Sequence, residues 1–184
     1  MRMLPATTLL GVIDIQERLI AAVPAADFVV ARAARLAEAA RILDVRAVLV
    51  EQYPRGLGPT PAALAAILPP AVAKMSFSSC GCGPFAAAVD DPAPPAVESV
   101  VLCGFETHVC ITQTALDLLA RGLAVFIAVD AVASRHTLDH EVALRRLEGA
   151  GAILTTTEAI LFEWCRTAEH PQFQAVRRLV VDVG

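Results

Sequence analysis

Apolar positions along this chain follow two alternating rhythms. Short unbroken apolar runs, over 9–15, 47–50, 100–102, 124–129 and 152–154, have the length and branched-residue content of buried strands. Between them apolar residues recur three or four apart. After Asp27, placed to cap a helix, the series Val29, Ala33, Leu36, Ala40, Leu43 predicts a helix with one buried face. The same spacing in Val109, Leu116, Leu119 and Leu123 predicts a second helix, and further helices are expected over 137–150 and 170–181. Thr155-x-x-Glu158 has the form of a capping box and starts another. The Pro- and Gly-rich segment 53–61 reads as a loop leading to a short helix over 62–68; 71–73 is a short extended piece ending at Lys74, and 90–95 is a turn. Strands buried on both faces and alternating with helices predict an α/β fold, a parallel sheet covered on both sides in three α/β/α layers. No repeat, linker or low-complexity tract interrupts residues 1–184, so one domain is expected.

In such sheets ligands gather beyond the carboxyl ends of the strands, where the strand order switches. Asp14, Lys74 and the turn before Cys110 all fall at such ends. The segment from Ser99 to Ile127 reads as a strand ending at Gly104, a polar turn (Glu106, Thr107, His108) and a helix whose first turn holds Cys110. Unpaired N–H groups and the helix dipole there favour an anion, so a lowered thiol pKa and a nucleophilic thiolate are expected. Lys74 is the only lysine beside fourteen arginines. Compositional drift explains this, or a role that needs a compact ammonium rather than a planar guanidinium.

Composition narrows the partners. An apolar content of 56% and a mean hydropathy of +0.59 imply extensive burial, in the core or between subunits, and a homo-oligomer is expected. A formal net charge of −4 without basic clusters argues against nucleic acid or an anionic membrane as partner. The uncharged stretch 57–73 is broken by Pro59, Pro61, Pro69 and Pro70 and does not form a spanning helix. The first ten residues lack the long apolar region and cleavage site of a signal peptide. Five cysteines without scaffold spacing (Cys80, Cys82, Cys103, Cys110, Cys165) fit reduced thiols in a cytoplasmic protein. Cys80 and Cys82 are loop residues, or a pair able to resolve an oxidised Cys110. His136 and His140 have the i,i+4 spacing of metal ligands but no obvious third partner, and a solvated helix start is the simpler reading. His108 either shapes the site or is a polar helix-start residue.

Together these blocks resemble a family. Asp14-Ile15-Gln16 at a strand end, Lys74 followed by Phe77-Ser78, and Gly104-x-x-Thr107-x-x-Cys110 are similar to the isochorismatase-like cysteine hydrolases. Glu51-Gln52-Tyr53-Pro54 with 56–60, Asp130-Ala131, Ser134-Arg135, Thr157-Glu158 and 170–173 bring the likeness closer to the isochorismatase domain-containing branch of animals and their bacterial relatives. The resemblance covers nearly the whole chain. It implies a six-stranded, mostly parallel sheet, a catalytic triad of Asp14, Lys74 and Cys110, and a cis peptide joining Phe105 to Glu106. It also implies an oxyanion hole formed by the backbone N–H groups of Glu106 and Cys110. Nicotinamidases of this superfamily hold a metal through an Asp/His cluster after the second strand. Here that position reads Glu51-Gln52-Tyr53-Pro54 and no histidine precedes His108, so no such site and no cofactor is expected.

The expected activity is hydrolysis of a small, non-peptide amide or related C–N bond through a Cys110 thioester. Gln16, Tyr53, Phe77 and Phe105, close in sequence to the triad residues, are the candidate pocket wall for a small-molecule substrate. The alternatives are a non-catalytic partner-binding protein or a redox-responsive protein on the same fold.

Overall fold

The computed structural model of the protein describes residues 2–181. Six strands, β1 (Thr8–Ile13), β2 (Arg46–Gln52), β3 (Val72–Lys74), β4 (Ser99–Phe105), β5 (Ala124–Ala133) and β6 (Ile153–Thr155), form one sheet in the order β3-β2-β1-β4-β5-β6, and every pairing is parallel. Between them run α1 (Glu17–Ile20), α2 (Ala26–Ile42), α3 (Pro54–Leu57), α4 (Ala62–Ala65), α5 (Gly83–Val89), α6 (Thr112–Ala120), α7 (Thr137–Gly149), α8 (Thr157–Cys165) and α9 (Phe173–Val181). Among the described residues no helix is long and apolar enough to cross a membrane. β1 and β4 are buried at every position, because both faces of the sheet are covered. On one face α2, α8 and α9 pack Leu36, Trp164 and Val176 against Leu10, Val12 and Val101. On the other, Phe85 of α5, Leu118 of α6 and Leu147 of α7 pack against Leu9, Leu102 and Ile127.

Five local expectations need correction. Asp27 does not cap α2; the helix starts from Ala25, which has a left-handed backbone (φ 58°) and makes no side-chain cap, and Asp27 sits in the first turn. α8 is capped by Thr156, whose hydroxyl accepts from Ala159 N–H, one residue later than the capping box predicts. In the helix after Cys110 the buried stripe is Ile111, Ala115 and Leu118, while Leu116 and Leu119 are only partly covered. Side chains lean toward the helix start, so the covered face lies a residue away from the one read off apolar identity. The loop 53–61 contains the single-turn α3, and the last helix begins at Phe173 rather than near 170.

The chain steps outward from β1 to β3 and then returns to β4 on the other side of β1, so the switch in strand order lies between β1 and β4. At that seam Gly104 pairs with Ile13 and has φ +120°; a Cβ placed on it would lie 1.8 Å from the Ile13 carbonyl oxygen. Only glycine allows this conformation and approach, and the approach brings the end of β4 beside the end of β1. Gly104→Ala is expected to destabilise the protein by more than about 3 kcal/mol, since backbone rather than a mobile side chain would have to give way. Thermal unfolding checks this, and an unchanged Tm would show that the seam relaxes.

Candidate active site

β1 ends at Ile13, and Asp14 follows with a left-handed backbone (φ 55°) that aspartate tolerates better than most residues. Its side chain is wholly buried. Lys74, the last residue of β3, is also wholly buried along its side chain and donates from Nζ to Asp14 Oδ2 at 2.9 Å. The same ammonium donates to Gln52 Oε1 (2.7 Å), the Phe77 carbonyl (3.0 Å) and, at 3.3 Å, the Ser76 carbonyl. Its donors are therefore fully engaged, and the lone lysine of the sequence is a buried ion-pair partner rather than a surface remnant. A flat guanidinium does not match four acceptors arranged around one point.

Gln52, which belongs to the Glu51-Gln52-Tyr53-Pro54 block but was given no role of its own there, holds this arrangement together. It ends β2 directly opposite Lys74 in the β2–β3 register. Its carbonyl oxygen receives the lysine, its side-chain amide donates to the Met75 carbonyl (3.0 Å), and its backbone pairs with the Gln16 side chain through both N–H and C=O (2.8 and 3.1 Å). The only local signal is that β2 ends in a polar amide.

Cys110 lies across the seam. After β4, residues Thr107–Ile111 form a widened helical turn of the π type that runs into α6. The Glu106 carbonyl accepts from Val109 N–H (3.1 Å) and Ile111 N–H (3.2 Å), on either side of Cys110. The Cys110 carbonyl accepts from Thr114 Oγ1 (2.6 Å), which in turn accepts from Ser79 N–H. The Phe105–Glu106 peptide is cis. The thiol is near enough to Asp14 and Lys74 to interact with both, so the structure brings the three residues together. Asp14 Oδ1 is buried and has no hydrogen-bond donor among the described residues, which leaves it as the available acceptor on the carboxylate.

The electrostatics reverse the expectation of a low thiol pKa. Burial, and then the negative charge and hydrogen bond of Asp14, push the Cys110 thiol up to about 12; Lys74 opposes them and does not prevail. Burial also raises the Asp14 carboxyl, against the pull of Lys74 and Cys110. The resting site holds a protonated thiol beside a carboxylate–ammonium pair, and a helix start is not sufficient to ionise the sulfur.

The remaining candidates separate. Tyr53 and Phe77 are about half exposed, and Met75 between them is 72% exposed, so three apolar side chains flank Lys74 at the surface. Phe105 and Gln16 are completely buried. Phe105 packs into the core beneath α2, and Gln16 spends its amide on Gln52 and the Gly58 carbonyl (2.6 Å), so the structure places both behind the wall. Glu106 is buried and its carboxylate accepts from Arg135 through Nε (2.8 Å), Nη2 (3.2 Å) and backbone N–H (3.0 Å), an arrangement with no local signal in the chain. His108 Nδ1 meets Ser134 Oγ at 3.0 Å and His140 Nδ1 meets Thr107 Oγ1 at 2.9 Å, while His136 is exposed at the start of α7. Among the described residues no three His, Cys, Asp or Glu side chains are grouped to hold a metal ion. Cys80 is half-buried and Cys82 buried, both as free thiols.

The isochorismatase domain profile matches residues 7–159. Isochorismatase domain-containing protein 2 of Bos taurus is 44% identical over 97% of this chain and 85% of its own length. A structure described as MAR1 ribonuclease from Caenorhabditis elegans is 38% identical, covers 98% of this chain and 93% of its own, and superposes with a TM-score of 0.92. The YcaC gene product of Escherichia coli, described as an octameric hydrolase of unknown specificity, is 21% identical over 98% of this chain and 91% of its own; with a TM-score of 0.90 it shows the fold.

Two outcomes test the site. The rate at which Cys110 is alkylated by iodoacetamide is expected to keep climbing above pH 9, without the plateau near pH 7 that a preformed thiolate gives. The sign follows from the raised folded-state pKa: the folded chain holds the thiol proton more tightly, a contribution to stability that is present at neutral pH and lost as pH rises from the ordinary thiol range towards 12. Lys74→Met is expected to cost about 3–5 kcal/mol, because it leaves Asp14 buried without a counter-charge. Denaturant titration measures this, and the Asp14→Asn/Lys74→Met double variant is expected to recover part of the loss.

Proposed function

The chain belongs to the isochorismatase domain family, and from that premise we propose that residues 1–184 form one metal-independent cysteine hydrolase domain. Its reaction is cleavage of a small, non-peptide amide or related C–N bond. The observation that carries the reading is the buried Asp14–Lys74 pair with the Cys110 thiol beside it and one carboxylate oxygen still free to accept a proton.

In this mechanism Asp14 takes the Cys110 proton as sulfur bonds to the carbonyl carbon. The electron pair displaced onto oxygen is held by the backbone N–H groups of Glu106 and Cys110. Glu106 N–H has no acceptor in the backbone or side-chain hydrogen bonds of the described residues, whereas the residues that follow β1 and β2 donate across the ladder, Asp14 to Val50 and Tyr53 to Lys74. The C–N bond then breaks, Asp14 gives its proton to the departing amine, and a thioester remains. Water adds to that carbonyl and passes a proton to Asp14. The C–S bond breaks, the acid leaves, and Asp14 returns the proton to sulfur. Lys74 opposes the burial that disfavours the Asp14 carboxylate and holds that carboxylate in place through its 2.9 Å contact.

The high thiol pKa fits this cycle, since the base acts in concert with attack and a free thiolate need not accumulate. Tyr53, Phe77 and the neighbouring Met75 supply the outer wall for the substrate. No cofactor enters any step. The octameric neighbour supports an oligomer, and the free cysteines are in keeping with a reducing, cytoplasmic setting.

A second reading has one observation behind it, the nematode neighbour described as a ribonuclease. A phosphodiester cleaved at this site would need cationic groups facing its phosphate. The ammonium here is fully engaged and the formal net charge is −4, so the carbonyl reading is preferred.

Cys110→Ala and Asp14→Asn are each expected to lower kcat/KM at least about 10³-fold on a panel of small amides and activated esters. Retained turnover by both variants would overturn the mechanism. Turnover of RNA but of no acyl compound would select the second reading. No turnover, with Cys110 alkylated no faster than the other four thiols, would point to the non-catalytic reading. A Cys110 disulfide to Cys80 or Cys82 formed under mild peroxide would point to the redox one.

A further inference from the structure

The Glu106 side chain is not needed for its backbone N–H to bind an oxyanion, yet it is buried at 7% exposure and receives three hydrogen bonds from one residue, Arg135. We infer that Arg135 is a positioning residue for the oxyanion hole, acting through Glu106; this rests on the hydrolase reading above. The Glu106 carboxylate is gripped by the Arg135 guanidinium through Nε and Nη2 and by its backbone N–H, while the Glu106 carbonyl is held by Val109 and Ile111 N–H. With the side chain and the carbonyl both fixed, the orientation of the remaining polar group, the N–H, is fixed as well. A two-pronged, charge-assisted contact restrains rotation where a single hydrogen bond leaves a hinge.

Two more contacts tie the same turn to the same segment, Thr107 Oγ1 to His140 and His108 Nδ1 to Ser134 Oγ. The segment 134–140 therefore forms a brace along the turn that carries Cys110. Arg135 makes the closest charged contact in it, at 2.8 Å against 3.9 Å between His108 Nε2 and Asp139 Oδ2, and it does so from the surface, with its side chain 50% exposed. No packing argument requires an arginine there, and the structure gives its guanidinium one carboxylate to meet, that of Glu106. A 560 Å³ cavity at the amino-terminal ends of β1 and β2, lined by Leu9, Ala47 and Ile67, has no such link to the turn.

The test separates positioning from support of the fold by using two reactions at the same sulfur. Attack on an acyl carbon builds charge on oxygen and needs the hole; displacement of iodide from iodoacetamide builds none there. Arg135→Leu is expected to lower kcat on an amide or ester that the parent hydrolyses by roughly 30-fold or more, within the ~10²–10³-fold loss that follows from removing a donor outright. KM and the rate of Cys110 alkylation by iodoacetamide are expected to stay within about 3-fold of the parent, values that retain the binding and nucleophile terms. Glu106→Gln is expected to lower kcat similarly, and the double variant to fall little further, because the two side chains act as one unit. Unchanged kcat in Arg135→Leu, or equal losses in kcat and alkylation, would overturn the inference. A parent chain that turns over no acyl substrate would overturn the hydrolase reading and this inference with it; a parent as active as Arg135→Leu would overturn this inference alone.

Discussion

The buried contact between Lys74 and Asp14 organises everything around it. Two opposite charges removed from water are tolerable only when their remaining hydrogen-bonding capacity is met. The structure meets it on the lysine side with Gln52 and the carbonyls of Phe77 and Ser76, and leaves one oxygen of Asp14 open toward the chemistry. The demand reaches far into the fold. Satisfying the ammonium fixes residues 75–77 over the end of β3, and Gln52 must end β2 in register with Lys74. Gln16 must then supply the amide that pairs the Gln52 backbone, so three strand ends are locked by one charge pair.

The same pair sets the character of the sulfur. Lys74 alone would favour a thiolate, but its charge is largely answered by Asp14, and the burial that makes the pair possible also penalises a further anion. On the proposed reading the site would work as a proton-transfer pair, thiol to carboxylate. Its performance depends on how well the oxygen that becomes negative is received, which shifts weight from ionising the nucleophile to aiming backbone N–H groups at the carbonyl oxygen. The glycine seam between β4 and β1 makes that aim possible by bringing the cysteine turn close to Asp14.

How much of this was legible in sequence follows from the range of each interaction. Strands such as 9–15 and 47–50 could be read because a parallel strand covered on both faces must be apolar throughout. Asp14, Lys74 and Cys110 could be placed because each stands at the end of such a run, and the turn around Cys110 because its motif is contiguous. Gln52 was missed because its role exists only across the β2–β3 register, twenty-two residues from its partner Lys74. Glu106 and Arg135 are twenty-nine residues apart with no shared pattern. The thiol pKa was misjudged for a related reason: a helix start is visible in sequence, whereas the depth at which the sulfur lies is a property of the whole packed molecule.

Where the misjudgements fall is itself informative. The ammonium, the carboxylate and the thiol at three strand ends follow from topology and from recognisable residue types. The shell behind them, Gln52 under the lysine and Arg135 beside the turn, depends on contacts between segments that local composition does not encode. Those contacts set distances and angles while the inner residues set the chemistry. Differences between this chain and others with the same three residues are therefore best sought behind the triad, and in the exposed trio of Tyr53, Met75 and Phe77 that borders it. On the proposed reading, the supporting residues and that apolar border, rather than the fold, would decide what approaches the sulfur and how a substrate carbonyl oxygen is held.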